Sequence, residues 1–190
     1  VTDELHQRVM DQVIWPTGNG MAAEVNTYVG FLYAGLMISA EGQPKVLEFD
    51  CRFGDPETQP IMLRLRSDLV ELCLAACDGT LDQKDSVWDE RPSLGVVLAA
   101  GGYPADYNTG DVISGLPQQD AEDGKVFHAG TKLNGINVVT NGGRVLCVTA
   151  LGNTVAEAQQ RAYEIAAGIQ WQGVFCRKDI GYRAIEREQA

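Results

Sequence analysis

Glu48-Phe49-Asp50-Cys51-Arg52-Phe53-Gly54-Asp55-Pro56-Glu57 is the most informative run in the chain. Its first half continues a strand pattern over residues 45–52 (KVLEFDCR), and Gly54 and Pro56 then break it. Side chains on a strand alternate between faces. Leu47, Phe49 and Cys51 therefore share an apolar face, while Glu48, Asp50 and Arg52 share the other. Two carboxylates and a guanidinium in neighbouring same-face positions are costly to bury unpaired. Their chemistry suits magnesium, which takes one or two protein carboxylates and leaves the remaining positions to phosphates and water. An adjacent arginine can stabilise charge on a phosphoryl group in transfer. The turn that follows adds Asp55 and Glu57. The same E-x-D-x-R pattern also describes a half-buried strand with an ordinary solvent face, and spacing alone does not separate the two.

Upstream, residues 28–40 (YVGFLYAGLMISA) are apolar, and Glu41-Gly42-Gln43-Pro44 is a turn, so the run belongs to a hairpin buried on at least one side. Residues 3–14 have helical spacing, with Leu5, Val9, Met10 and Val13 on one face. The segment from Trp15 to Gly20 is expected to end that helix in a loop. Downstream, a helical segment is expected around residues 57–66, and Asp68 is placed to cap a second helix reaching Cys77. Residues 78–93 are polar and form the best domain boundary. Strands follow at residues 94–100, 125–130 and 144–151, with Gly142-Gly143 expected to be a hairpin connection. Thr154-x-x-Glu157 is a capping-box pattern. It opens a helix with Val155, Ala158, Ala162, Ile165, Ala166 and Ile169 on one face. The fold class expected is α+β.

Composition narrows the function. The net charge is −11, with 26 acidic and 15 basic residues, and no basic patch of the kind nucleic acid requires is evident. No apolar stretch approaches the ~20 residues that span a bilayer, and the first residues given (VTDELHQRVM) are charged and amphipathic, without the apolar core of a signal peptide. Five cysteines without a C-x-x-C pair or a histidine cluster argue against a zinc site. Cys73 and Cys77, four apart in DLVELCLAAC, are expected to act as small buried hydrophobes. Free thiols suit a reducing compartment, so a cytoplasmic location is expected. The chain starts without a methionine and runs directly into a helical pattern, which leads to the expectation of a piece of a longer protein.

The run VLEFDCRFGDPETQP resembles the E-F-N-x-R-F-G-D-P-E-T-Q signature of the phosphoribosylamine–glycine ligases (glycinamide ribonucleotide synthetases), a family of ATP-grasp enzymes. Tyr28–Met37, Leu94–Pro104, His128–Thr131 (HAGT), Gly142–Leu146 (GGRVL) and Arg177–Gly181 (RKDIG) resemble further segments of the same enzymes in the same order. The resemblance therefore covers essentially the whole chain. It implies the C-terminal part of an ATP-grasp domain, an antiparallel sheet with helices over residues 1–88, followed by a small α+β domain over residues 89–190.

The activity implied is ATP-dependent joining of glycine to 5-phosphoribosylamine through a glycyl phosphate, releasing ADP and phosphate, in purine biosynthesis. Alternatives are another ATP-grasp carboxylate–amine ligase, or a non-catalytic fragment or subunit. By resemblance, Glu48 and Asp50 bind magnesium (or manganese), Arg52 faces the phosphoryl-transfer centre, and Asp55 and Glu57 border the substrates. Arg177 and Asp179 are either a structural ion pair or part of the active-site mouth. ATP, glycine and 5-phosphoribosylamine are the expected partners, together with an N-terminal part of the same enzyme that this chain lacks. Without that part, the isolated chain is not expected to catalyse ligation. Two positions depart from the family pattern. Asp50 stands in place of asparagine, adding a charge and losing an NH₂ donor. Val25 stands where glycine is expected, and a positive φ there would strain a β-branched residue. Gly18-Asn19-Gly20 lacks the Lys-Ser/Thr of a phosphate loop. His128 has no acidic neighbour in sequence and is expected to be a hydrogen-bonded structural histidine.

Overall fold

Helical structure runs without a break from Asp3 to Ala23 in the computed structural model, which describes residues 1–189. Ala190, the last residue of the expected second domain, lies outside the described residues. Helix α1 (Asp3–Val9) is capped by Thr2, whose hydroxyl accepts from the Leu5 amide. It passes through a wide π turn (Met10–Ile14) into α2 (Trp15–Ala23). The loop expected from Trp15 to Gly20 is therefore helical. Pro16, which has no amide donor to give the ladder, stands directly after the π turn at the start of α2. The π turn before it re-registers the hydrogen-bond ladder, with the Trp15 amide bonded back to the Met10 carbonyl.

The described residues form two units, Val1–Gly54 with Asp68–Asp85, and Asp55–Ser67 with the chain from Ser86 onward. In the first unit, β1 (Tyr33–Ile38) and β2 (Pro44–Asp50) form the antiparallel hairpin expected from the sequence. Gly35 pairs with Glu48 and Leu36 with Val46, leaving Leu47 as a bulge. The expected burial is not found. Leu47 is 67% and Phe49 44% exposed, because the sheet has only these two strands among the described residues. Helix α4 (Leu69–Cys77) starts where expected. The Asp68 carboxylate accepts from the amides of Val70 and Glu71 at 2.7 and 3.3 Å. Cys77 is exposed and Cys73 half-buried, so neither is the buried hydrophobe the sequence suggests.

Helices α2 and α4 end in the same hydrogen-bond pattern. The Val25 amide bonds the Ala22 carbonyl and the Asn26 amide the Met21 carbonyl, at 3.0 and 2.9 Å. Likewise Gly79 bonds Ala76 and Thr80 bonds Ala75, at 3.3 and 2.9 Å. This is the Schellman motif, which requires a left-handed residue just past the helix. Gly79 supplies it with φ 68°, and Val25 is forced into it with φ 62°.

The second unit is built on a three-stranded antiparallel sheet in the order β3 (Ser93–Ala99), β7 (Arg144–Leu151), β4 (Gly124–His128). β7 is buried from Val145 to Leu151, so its sequence is almost continuously apolar rather than alternating. The reason is that both faces are covered. Helix α5 (Val155–Ala167) lies on one face through Ala158, Ala162 and Ala166, all buried. Their short side chains let the helix approach Val96, Leu146 and Val148 closely. Helix α3 (Thr58–Arg64) lies on the other face. An added Cβ on Gly95 would meet Pro60 Cγ at 3.2 Å and Cys147 Sγ at 3.1 Å. Burial raises the Cys147 thiol pKa above its ordinary value. The Thr154 hydroxyl caps α5 by accepting from the Glu157 amide. The Glu157 carboxylate returns to the Asn153 amide rather than to Thr154.

Two elements were not expected from the sequence. One is the hairpin β5 (Thr131–Asn134) and β6 (Asn137–Thr140), turning at Gly135. The other is helix α6 (Tyr182–Glu188). Because β6 pairs with β5 and β7 with β3 and β4, Gly142-Gly143 passes between sheets and is not a hairpin connection. Its glycines answer to packing instead. A Cβ on Gly143 would fall 2.2 Å from the Tyr103 ring, and one on Gly142 would fall 3.0 Å from Gly130 Cα. No helix among the described residues is long and apolar enough to cross a membrane.

An ion-pair chain ties the 55–67 segment into this unit. The Asp89 carboxylate, only 8% exposed, receives Arg91 at 2.9 Å and also Arg66. Arg64 donates to the Asp89 carbonyl at 2.9 and 3.0 Å. Arg91 continues to Asp123 at 2.7 Å, and Arg161 reaches the same carboxylate at 3.0 Å.

Candidate functional site

The hairpin presents its polar residues on one face. Glu48 and Asp50 are two apart on β2 and pair across to Gly35 and Tyr33 of β1, so their side chains emerge on the same side. Arg52 lies beyond the end of the strand at Asp50, so strand alternation does not place it on that face, contrary to the expectation. It folds back instead. Its Nη1 donates to Asp50 Oδ2 at 3.3 Å and to the Phe53 carbonyl at 3.2 Å. Phe53 in turn packs on Phe31 with ring centroids 4.2 Å apart, which fixes the direction in which the chain leaves the sheet.

Glu48 makes no hydrogen bond or ion pair among the described residues, and its side chain lies across the Gly35 backbone. A cavity of about 210 Å³ beside Asp50 is lined by Thr17, Met21, Tyr28, Leu32, Phe49 and Cys51, and Glu48 does not line it. The face therefore offers one free carboxylate, a second carboxylate engaged through one oxygen, and a guanidinium within reach of both solvent and Asp50. No group of three or more His, Cys, Asp or Glu side chains converges among the described residues. A pair of oxygen donors is what a hard divalent cation needs when nucleotide phosphates supply the rest of its octahedron. The residues present fit magnesium in that role.

The other residues singled out from the sequence lie in the second unit. Asp55 is held by Arg144, guanidinium to carboxylate at 2.9 Å and guanidinium to the Asp55 carbonyl at 3.0 Å. Glu57 is exposed and makes no such contact among the described residues. Arg177 and Asp179 form a two-pronged pair at 3.0 and 2.8 Å. The hydrogen bond between them lowers the carboxyl pKa of Asp179 and raises that of the guanidinium. His128 is exposed, with its Nδ1 3.1 Å from the Thr131 hydroxyl, so a hydrogen-bond partner is present as expected. Arg144 and Gly35 went unnoticed in the sequence. Both sit within segments that resemble the family, GGRVL and YVGFLYAGLM, but only the fold shows that Gly35 faces Glu48 across the hairpin and that Arg144 reaches Asp55 in a loop.

The chain is similar to known proteins along most of its length. Residues 1–58 match the model for the phosphoribosylglycinamide synthetase ATP-grasp (A) domain, and residues 93–183 match that for the phosphoribosylglycinamide synthetase C domain. The chain is 81% identical over 188 residues to a phosphoribosylamine–glycine ligase of Yersinia pestis, covering 98% of this chain and 44% of that protein. It is 73% identical over 190 residues to the enzyme of the same name from Escherichia coli K12, again covering 44% of it. The crystal structure of phosphoribosylamine–glycine ligase from Thermotoga maritima superposes with a TM-score of 0.75 at 35% identity, over 94% of this chain and 42% of that one. The chain thus spans less than half the length of the relatives it matches.

Proposed function

Because the chain belongs to the phosphoribosylglycinamide synthetase family, we propose that it supplies the metal-holding strand and the C-terminal domain of an ATP-dependent ligase that joins glycine to 5-phosphoribosylamine. The observation carrying this reading is the pair Glu48 and Asp50 on one face of β2, with Arg52 folded onto Asp50.

Glu48 and Asp50 would hold magnesium, which when bound would screen the charge of the ATP phosphates. Arg52 is near enough to Asp50 to be oriented by it, and its remaining donors are available to the phosphoryl group in transfer. The glycine carboxylate attacks the γ-phosphorus and ADP departs, leaving a glycyl phosphate. The amine of 5-phosphoribosylamine then attacks the glycyl carbonyl, phosphate leaves, and the amine loses its proton. Activation in this order replaces oxide, a poor leaving group, with phosphate. Asp55 and Glu57, at the exit from the strand, border the substrates. The reaction is placed in the cytoplasm, where the five unpaired thiols remain reduced.

Glycine-dependent ADP release by the enzyme carrying this chain at its relatives' full length tests the reading. Release that requires both glycine and 5-phosphoribosylamine for sustained turnover, and that falls at least about a hundredfold in Arg52→Ala, supports it. Turnover with a different acid–amine pair and none with glycine would refute it.

A further inference from the structure

β1 has a glycine at its centre, a position where glycine ordinarily weakens a strand. Backbone conformation does not require it. Gly35 is absent from the residues with positive φ, and the extra residue of the neighbouring bulge is Leu47 on the opposite strand. Clearance does require it. A Cβ built on Gly35 would fall 2.9 Å from Glu48 Cγ and 3.4 Å from its Oε1. The cross-strand partner of Gly35 is Glu48 itself, so the Glu48 stem lies flat over β1 in the space a side chain would fill.

We infer that Gly35 is a positioning residue for the metal site. By lacking a side chain, it lets Glu48 lie across β1 on the face it shares with Asp50, and any larger residue there lifts Glu48 out of that conformation. The inference rests on the reading of Glu48 as a metal ligand and extends it to the residue that sets the ligand's direction. The contact is with the middle of the Glu48 stem rather than its tip, so relief requires a change of rotamer that carries the carboxylate with it. Glu48 is exposed and makes no hydrogen bond or ion pair among the described residues. It can therefore rotate away without disturbing the fold, and the loss falls on the metal.

The test is a mutant cycle of Gly35→Ala and Glu48→Ala in the enzyme at its relatives' full length. Mn²⁺ affinity in the presence of ATP is read by electron paramagnetic resonance, without turnover, alongside thermal melting. Gly35→Ala is expected to weaken Mn²⁺ binding roughly tenfold, the range seen when a group orienting a ligand is lost, with no fall in melting temperature. In the Glu48→Ala background it should have no further effect, because two residues acting through one contact are not additive. Unchanged Mn²⁺ affinity in Gly35→Ala would overturn the inference. So would an equal loss in both backgrounds, or a Gly35→Ala protein that no longer melts cooperatively. If instead Glu48→Ala itself leaves Mn²⁺ binding intact, the reading of Glu48 as a ligand is what fails.

Discussion

Arg144, the first residue of β7, clasps Asp55 twice, through the carboxylate at 2.9 Å and through the backbone carbonyl at 3.0 Å. Asp55 is the second residue of the G-D-P-E-T-Q run, so an arginine 89 residues away in sequence fixes the course of that loop against the sheet. Both side chains are part-exposed, and an ion pair so placed contributes at most about 1 kcal/mol to stability. Its value lies in loop geometry. Arg144→Ala should lower kcat/KM roughly ten- to a hundredfold, the scale of a displaced substrate-bordering segment, with little change in urea midpoint. Arg144→Lys should recover only part, because one ammonium does not reproduce the two-pronged contact. Steady-state kinetics beside urea melts decide. Full activity in Arg144→Ala would remove the loop's role.

Val25 and Gly79 occupy the same place in two Schellman motifs, and only glycine is at ease there. The left-handed conformation costs a non-glycine residue about 1–2 kcal/mol. Substituting glycine returns about 0.5–1 kcal/mol of that to the unfolded chain as entropy. Val25→Gly should therefore stabilise the first unit by a net ~0.5–1 kcal/mol. The side chain is 91% exposed, so its removal forfeits almost no packing. Gly79→Val has open space for its Cβ and should destabilise by about 1 kcal/mol for backbone reasons alone. Urea unfolding of the two variants should move in opposite directions, and parallel movement would contradict the backbone argument.

The hydrogen bonds from Arg91, and then from Arg66, hold the Asp89 carboxyl pKa well below the usual carboxylate range. A carboxylate depressed on folding stabilises the fold above its unfolded pKa of about 3.9. That contribution is lost as pH falls from there through the lower folded value. Asp89→Asn should therefore destabilise the protein at pH 7, and the gap between variant and parent should narrow as pH is lowered from 5 towards 2. Urea midpoints at a series of pH values measure it. A gap that stays constant with pH would show that the charge of Asp89 is not what ties the segment of residues 55–67 down.

The elements legible in the sequence are those whose causes are local. Asp68 caps α4 and Thr154 caps α5 because each oxygen meets an amide two or three residues on. The strands at Ser93–Ala99 and Arg144–Leu151 announce themselves by apolar run and length. The positive φ at Val25 was legible as a glycine position filled by another residue. What failed depended on distant partners or on register. Trp15-Pro16 looks like a helix end unless a π turn shifts the ladder before it. Arg52 looks like a strand residue until the strand ends at Asp50. The Asn134-Gly135 turn does not stand out in the sequence because four-residue strands carry too little periodicity. Among the residues proposed for the site, Glu48 and Asp50 were legible as a pair because strand alternation is a two-residue rule. Arg144 and Gly35 were not, because their meaning lies wholly in the residues they face across strands or loops.

The isolated chain should not turn over. It spans 44% of the length of its relatives, and the only groups proposed in it to meet ATP are Glu48, Asp50 and Arg52, with none proposed for the adenine. Glycine-dependent ADP release by the purified chain should stay at background, and robust turnover would contradict the division of labour proposed.

The claim on which the rest depends is that Glu48 and Asp50 jointly hold the metal that accompanies ATP. Titration of Mn²⁺ into the ATP complex of the enzyme at its relatives' full length, followed by electron paramagnetic resonance, addresses it directly. Affinity should fall roughly ten- to a hundredfold when Glu48 and Asp50 are both replaced by alanine, with the melting temperature preserved. A double variant that binds Mn²⁺ as tightly as the parent would contradict the account.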